Sequence, residues 1–200
     1  MCADHVMRIA GVDIGSKRGG STVICYQRED GVLDFLRCAR GKDPDDFLES
    51  YLTFAGIQVA FVDAPLSLPG VYCAPDRYHD YFFRICDRQL KGMSPMFLGG
   101  LTARAIRLKA HLETKGITLM ETYPSGFFRL LFPDRKGYHR EVKHLSVFTA
   151  EVVQHYGLML AREPEDWHAF DAMLAWMSAW RWLHNQACVY GDPDEGVVYL

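Results

Sequence analysis

"MRIAGVDIGSKRGGSTVICYQREDGVLDFLRCA", residues 7 to 39, holds three short apolar runs separated by glycine-rich or charged breaks. "MRIAGVDIG" (7–15) reads as a strand ending in glycine, "STVICYQ" (21–27) as a second and "VLDFLRCA" (32–39) as a third. Between the last two stands "REDG" (28–31). Its Asp30-Gly31 pair signals a hairpin, because glycine takes the left-handed conformation such turns require. Three antiparallel strands in meander therefore open the chain, and everything downstream must be fitted onto them.

Further along, "DPDDFLESYLTFAG" (43–56) predicts a helix with an acidic start and an apolar stripe at Phe47, Leu48, Tyr51 and Leu52. "VAFVDAPLSLPG" (59–70) is an unbroken apolar strand that stops at Asp63, since Pro65 and Pro69 forbid its continuation. "RYHDYFFRICDRQL" (77–90) reads as helical and "KGMSPMFLGG" (91–100) as loop. "TARAIRLKAHLETKG" (102–116) reads as a helix with Thr102 as its cap and Gly116 at its end. "ITLMETYP" (117–124) is strand-like, with Glu121 near its C-terminal end and Pro124 starting a helix through Phe127 and Leu131. Residues 141–156 and 165–186 read as the last two helices, and "GVVYL" (196–200) as a short terminal strand. A meander followed by alternating helices and strands implies an α/β fold: a mixed sheet covered by helices on both faces, with its site near the carboxyl ends of the parallel strands.

Composition bounds the reading. In 200 residues, a 49% hydrophobic content suffices for one well-packed core, so residues 1–200 are expected to form a single domain. A formal net charge of -3 gives no global sign of a partner such as nucleic acid or an anionic membrane, although a local basic patch is compatible with it. No early charged segment leads into an apolar stretch, and no apolar run approaches the roughly 18 residues of a membrane span, so the expected setting is cytoplasmic. The six cysteines (2, 25, 38, 73, 86 and 188) are scattered without a CxxC, which suits a reducing compartment. Cys73, His79 and Cys86 are too irregularly spaced for a zinc site, and the two cysteines read as buried or half-buried thiols.

Four acidic residues occupy positions that chemistry could use. Asp13 follows "IAGV", Asp63 ends "VAFV", Glu121 lies in "LMETYP", and Asp171 sits inside the apolar helix "HAFDAMLAWMSAW" (168–180). A lone buried carboxylate is expensive, and several together repel, so their convergence would favour a divalent cation, Mg²⁺ or Mn²⁺ for an all-oxygen donor set. Each has a plainer reading: Asp13 as a strand-end acceptor, Asp63 as a turn cap, Glu121 as a loop support. His168, three residues before Asp171 on the same helix face, reads either as a metal ligand or acid/base or as an ordinary first-turn histidine. Glu165 and Asp166 read as first-turn acids that complement the helix dipole.

Together, "RIAGVDIGSKRGG", "VAFVDAPLSLPG", "RICDRQLKGMSP", "METYPSGFFRLL" and "HAFDAMLAWMSA" resemble a bacterial and archaeal family of unknown function described as predicted nucleases with a ribonuclease-H-like fold. The resemblance runs from about residue 8 to the end. It implies a five-stranded mixed sheet in order 3-2-1-4-5, with the active site on strands one and four and on the final helix. On that basis Asp13, Asp63 and Asp171 would be metal ligands and catalytic, with Glu121 or His168 completing the shell or orienting water. His168 and Asp171 also resemble the "HxxD" element of Holliday-junction resolvases of this superfamily. The implied chemistry is in-line phosphodiester hydrolysis with two ions about 4 Å apart.

Such a reaction needs phosphate contacts. Lys17 and Arg18 follow the first aspartate, and Arg84, Arg88, Lys91, Arg104, Arg107 and Lys109 add charge across the middle of the chain; Arg88 and Arg104 join Lys17 and Arg18 as candidate substrate-binding residues. Tyr72, Tyr78, Tyr81 and Phe82 read as core aromatics, with base stacking as the alternative. The expected partner is nucleic acid, DNA or RNA, with a homodimer open if the tryptophans at 167, 176, 180 and 182 extend an edge. Two other classes compete. A non-catalytic scaffold on the same fold would show a hydrogen-bonded Asp171 and no concave acidic cluster. A nucleotide phosphotransferase is suggested by "GVDIGS", but a second phosphate loop and a GxxxxGK[ST] motif are missing.

Overall fold

The computed structural model describes residues 7–200, so Cys2 lies outside the described residues. Strand β1 (Ile9–Asp13) pairs antiparallel with β2 (Val23–Gln27), which pairs antiparallel with β3 (Leu33–Arg37). The β2–β3 turn closes through Arg28 N–H to Val32 O (2.9 Å) and Gly31 N–H to Arg28 O (3.1 Å), with Gly31 at φ +85°. The hairpin read from Asp30-Gly31 is there, as a three-residue loop in which only glycine fits comfortably at the last position.

Helix α1 (Pro44–Phe54) starts at Asp43, whose carboxylate accepts from Asp45 N–H (2.8 Å) ahead of a proline in the first turn. It buries Leu48 and Leu52 and returns the chain to β4 (Val59–Asp63), parallel to β1. An irregular passage containing α2 (Ile85–Leu90) and α3 (Pro95–Leu98) leads to α4 (Gly100–Glu113) and then β5 (Thr118–Glu121), parallel to β4. Helices α5 (Pro124–Leu131), α6 (Lys143–Tyr156) and α7 (Trp167–Leu183) follow, and a hairpin of β6 (Val189–Asp192) and β7 (Gly196–Tyr199) ends the chain. The five-stranded sheet has the order β3-β2-β1-β4-β5, the ribonuclease-H-like α/β topology.

Strand alternation sorts the sheet into two cores. Ala10, Val12, Ala60 and Val62 face α1 and α4, whereas Ile9, Val59 and Phe61 face α5, α6 and α7. Asp13 and Asp63 keep step with Ile9 and Val59 and so point toward the α7 face. Gly11 lies between Ile9 and Asp13 in β1 and faces the same way. A Cβ there would fall 2.0 Å from Trp176 N and 2.2 Å from Ala172 O, so α7 rests its backbone directly on the strand. This close approach brings the second turn of α7, and Asp171 with it, down to the end of β1.

Several local readings need correction. Residues 77–84 are not helical: Asp80 accepts from the N–H groups of Phe82 (2.9 Å) and Phe83 (3.0 Å), making a turn, and the helix begins only at Ile85. "KGMSPMFLGG" is not all loop, since Ser94 caps the single turn of α3 by accepting from Met96 N–H (3.0 Å). Thr102 is inside α4 rather than at its cap, its hydroxyl donating to Pro95 O (2.7 Å). Cys73 is exposed, as are Tyr72, Tyr81 and Phe82, while Tyr78 is buried against Gly70. Trp176 is buried, and Trp167, Trp180 and Trp182 pack half-buried on the same core. Among the described residues, no helix is long and apolar enough to cross a membrane.

Candidate metal centre

Asp13 and Asp63 are the last residues of two adjacent parallel strands and stand opposite each other in register. Asp171 reaches them from α7. One oxygen from each carboxylate lies within 4.8 Å of the other two. Asp13 is 8% exposed and Asp171 4%, so little solvent screens them from one another. Burial, then the charges of Asp171, Asp13 and Glu121, push the Asp63 carboxyl well above the usual range. Burial also raises Asp13, with the His168 hydrogen bond opposing it. Three hard oxygen donors in one recess can hold a divalent cation, and a cation would remove the repulsion that raises them.

Three ring side chains steer the carboxylates. His168 Nδ1 lies 2.7 Å from Asp13 Oδ2, with the ring half-buried. His139 Nε2 lies 2.8 Å from Asp171 Oδ2, and the Tyr138 hydroxyl donates to Asp171 Oδ1. The carboxylate partner raises each histidine pKa while burial opposes it, so both imidazoles favour the charged form. Tyr138 stacks on Phe128 (4.5 Å between centroids), and His139, at φ +59°, stacks on Trp167 (5.3 Å). A left-handed backbone at a non-glycine residue costs about 1–3 kcal/mol, and these stacks hold it in place. Sequence reading missed Tyr138 and His139; their one local signal is the pairing of two aromatic polar residues directly after Gly137 in a polar connection.

Glu121 is not part of this trio. Its Oε1 accepts from Arg84 Nη2 (2.6 Å), and its Oε2 accepts from Arg84 Nη1 (2.7 Å) and from Leu66 N–H (2.8 Å). Both oxygens are thus engaged in bracing the segment after β4, as the loop-support reading has it. Arg84, one of the basic residues across the middle of the chain, is 1% exposed and also binds both oxygens of Asp87. Burial opposes its charge, but Glu121 and Asp87 outweigh burial and hold the guanidinium protonated. Glu195 from the terminal hairpin accepts from Gly70 N–H (2.7 Å) and Ile85 N–H (2.6 Å), a second brace on the same passage.

The basic candidates divide. Lys17 and Arg18 lie exposed in the loop beyond Asp13, with Lys17 Nζ 3.5 Å from Asp43. Arg88 pairs with Asp80 (2.7 Å) and covers the Phe83 ring. Arg104 is largely buried, its Nε donating to Asp45 (2.6 Å) and its Nη1 to Gly15 O (2.7 Å), so it ties α4 to α1 and to the loop after β1. Asp166 caps α7 by accepting from Ala169 N–H (3.0 Å) and pairs with Arg37 (2.7 Å).

Strand order, strand direction and the three converging aspartates define an α/β protein of ribonuclease-H-like topology with a carboxylate site able to hold a metal ion. No protein-family model and no curated protein sequence matches the chain. Among solved structures, RuvC of Thermus thermophilus is similar over 92% of this chain and 99% of that one, at 14% identity and a TM-score of 0.45.

Proposed function

We propose that this chain is a divalent-metal-dependent phosphodiester hydrolase acting on nucleic acid in the cytoplasm, with Mg²⁺ or Mn²⁺ at Asp13, Asp63 and Asp171. The carrying observation is the approach of one oxygen from each of three carboxylates, two buried and one half-buried, to within 4.8 Å of one another. A scaffold has no need to hold such charges together, and their repulsion works against the fold until a cation arrives. The motifs quoted above and the strand order also agree with kinship to the predicted nucleases they resemble.

When bound, a divalent ion supplies activation of water and neutralisation of charge at the leaving oxygen. The chain's own residues do the rest. Asp13, Asp63 and Asp171 hold the ion; Tyr138 and His139 fix the orientation of Asp171. His168 orients Asp13 through Nδ1 and keeps Nε2 for proton exchange with a reacting group. Glu121 acts at one remove, by positioning the passage after Asp63 through Arg84. Lys17 and Arg18, exposed beyond Asp13, are suited to phosphate contact, with Arg88 farther out.

Calorimetry with Mn²⁺ and with Mg²⁺ on the wild type and Asp13→Asn, followed by cleavage assays on single-stranded, duplex and junction substrates, tests this. Saturable binding that the substitution abolishes, with cleavage abolished alongside, is the expected result. A folded wild type that binds neither ion would overturn the reading in favour of a scaffold.

A further inference from the structure

Asp63 and Asp171 form one end of a cavity of about 520 Å³. Leu90, Met93, Leu98 and Leu101 line it too, as do Ala64 and Pro65, which follow Asp63 in the chain. The volume falls in the roughly 300–1,000 Å³ range of small-molecule sites. Hydrolysis at the strand ends requires no recess of this kind, since a phosphodiester on the outside of a duplex could meet the aspartates directly.

Charge decides which part of a nucleotide such a recess accepts. Arg84 in the wall is shared between Glu121 and Asp87, leaving that network with an excess of one negative charge before the central aspartates are counted. A phosphate would be repelled there; an uncharged base would not. The polar lining is largely spent as well: the Thr122 hydroxyl donates to Ser178, and Ser125 accepts from Arg129. What remains free is the apolar part of the lining, Leu90, Met93, Leu98, Leu101 and Val198, which offers contact to the flat ring of any base.

The rim continues the same chemistry. Met93, 60% exposed, leads into α3, where Phe97 is 66% exposed and its ring lies 5.7 Å from that of Phe82, itself exposed. The Ser94 hydroxyl donates to Phe82 O and fixes the two segments together. Arg88 stands beside them over Phe83, at 3.8 Å. Exposed rings with a neighbouring guanidinium offer stacking to unpaired bases, whose faces a duplex would hide.

We infer that the cavity is a subsite for the base of one unpaired nucleotide next to the cleaved phosphodiester, with the strand beyond it stacking on Phe97 and Phe82. The substrate is therefore single-stranded or locally unpaired nucleic acid, and this rests on the hydrolase reading above. An extruded base pays for leaving its stack least where it was already unpaired, which gives selectivity for such sites.

The test uses the full chain with Mn²⁺ and one labelled oligonucleotide sequence in DNA and RNA form: single-stranded, fully paired, and paired except for one unpaired nucleotide. The expected result is kcat/KM at least about tenfold higher for the two unpaired forms than for the paired one. Phe97→Ala, which removes a ring exposed enough that folding is not at risk, and Leu101→Trp, which fills part of the cavity, should raise KM for unpaired substrates by about tenfold with kcat nearly kept. Equal cleavage of the fully paired duplex, with neither variant changing KM, would overturn the subsite while leaving the hydrolase standing. No Mn²⁺-dependent cleavage of any form would overturn the hydrolase reading, and the subsite with it. The DNA and RNA arms identify which sugar the subsite tolerates.

Discussion

Asp63 ends a buried strand facing two other carboxylates, and that placement has a thermodynamic consequence. Burial, then Asp171 and Asp13, raise its pKa well above the ordinary range. A carboxyl that holds its proton more tightly in the folded chain than in the unfolded one opposes folding at every pH above its unfolded value, where the unfolded chain gives the proton up more readily. Asp63→Asn should therefore raise the melting temperature in excess EDTA, each kcal/mol being worth about 2–4 °C at this chain length. It should also abolish the rise that Mn²⁺ gives the wild type. Thermal scans with and without Mn²⁺ read both effects, and a lower melting temperature in EDTA would show that Asp63 supports the metal-free fold. Asp13, Asp63 and Asp171 were legible because each is a charge at the end of, or inside, an apolar run. Glu121 has the same local signature as Asp63, yet its cation, Arg84, lies 37 positions upstream and no local pattern joins them. Tyr138 and His139 were illegible for the same reason, reaching Asp171 across 33 and 32 positions.

Among the elements, the packing of α7 on β1 sets the site, and Gly11 permits it. Gly11→Ala would drive a methyl into the backbone at Ala172 and Trp176, and overpacking of this kind costs about 1–3 kcal/mol. Lifting α7 also separates Asp171 from Asp13. Urea unfolding should show the lost stability and calorimetry a weaker Mn²⁺ affinity; unchanged affinity would mean that the trio does not depend on this contact. On the far strand, Asp34 of β3 is buried between Arg28 (Nε, 3.1 Å) and Arg162 (Nε, 3.1 Å). Burial raises its pKa, but the Phe35 N–H and the two arginines outweigh burial and leave it depressed. A depressed carboxyl contributes stability that is present above its unfolded pKa of about 3.9 and is lost as pH falls through the lower folded value. Asp34→Asn should thus cost about 1 kcal/mol at neutral pH and flatten the acid limb of a stability-against-pH curve; a parallel, undiminished acid limb would assign that limb to other groups. Strands and long helices were legible here because periodicity runs through them. Helices α2 and α3 were misread because one or two turns carry no period, and Ser94, Asp80 and Glu195 shape them through capping and distant contacts.

Across the whole molecule, the parallel strands deliver the aspartates to one edge of the sheet, and the long passage from β4 to α4 walls that edge in. The mixed sheet followed from the succession of elements and its strand order from the family resemblance, but the wall followed from neither, because buried charge rather than an apolar stripe holds it. Arg84 links Asp87 at the start of α2 to Glu121 at the end of β5, and Glu195 secures the same passage from the chain's last hairpin. Removing one partner of a buried ionic group leaves the others uncompensated, at a cost of about 3–5 kcal/mol, whereas removing all the charges together costs far less. Arg84→Met should accordingly lose about that much stability in urea unfolding. The triple variant Arg84→Met, Asp87→Asn, Glu121→Gln should recover a substantial part of it, a coupling that only contacting residues show. Recovery of stability without recovery of cleavage would mean that the network shapes the cavity wall as well as holding it. A triple variant no more stable than Arg84→Met would instead show that the Arg84 side chain stabilises the wall through packing and its bond to Ser67, and not through its charge.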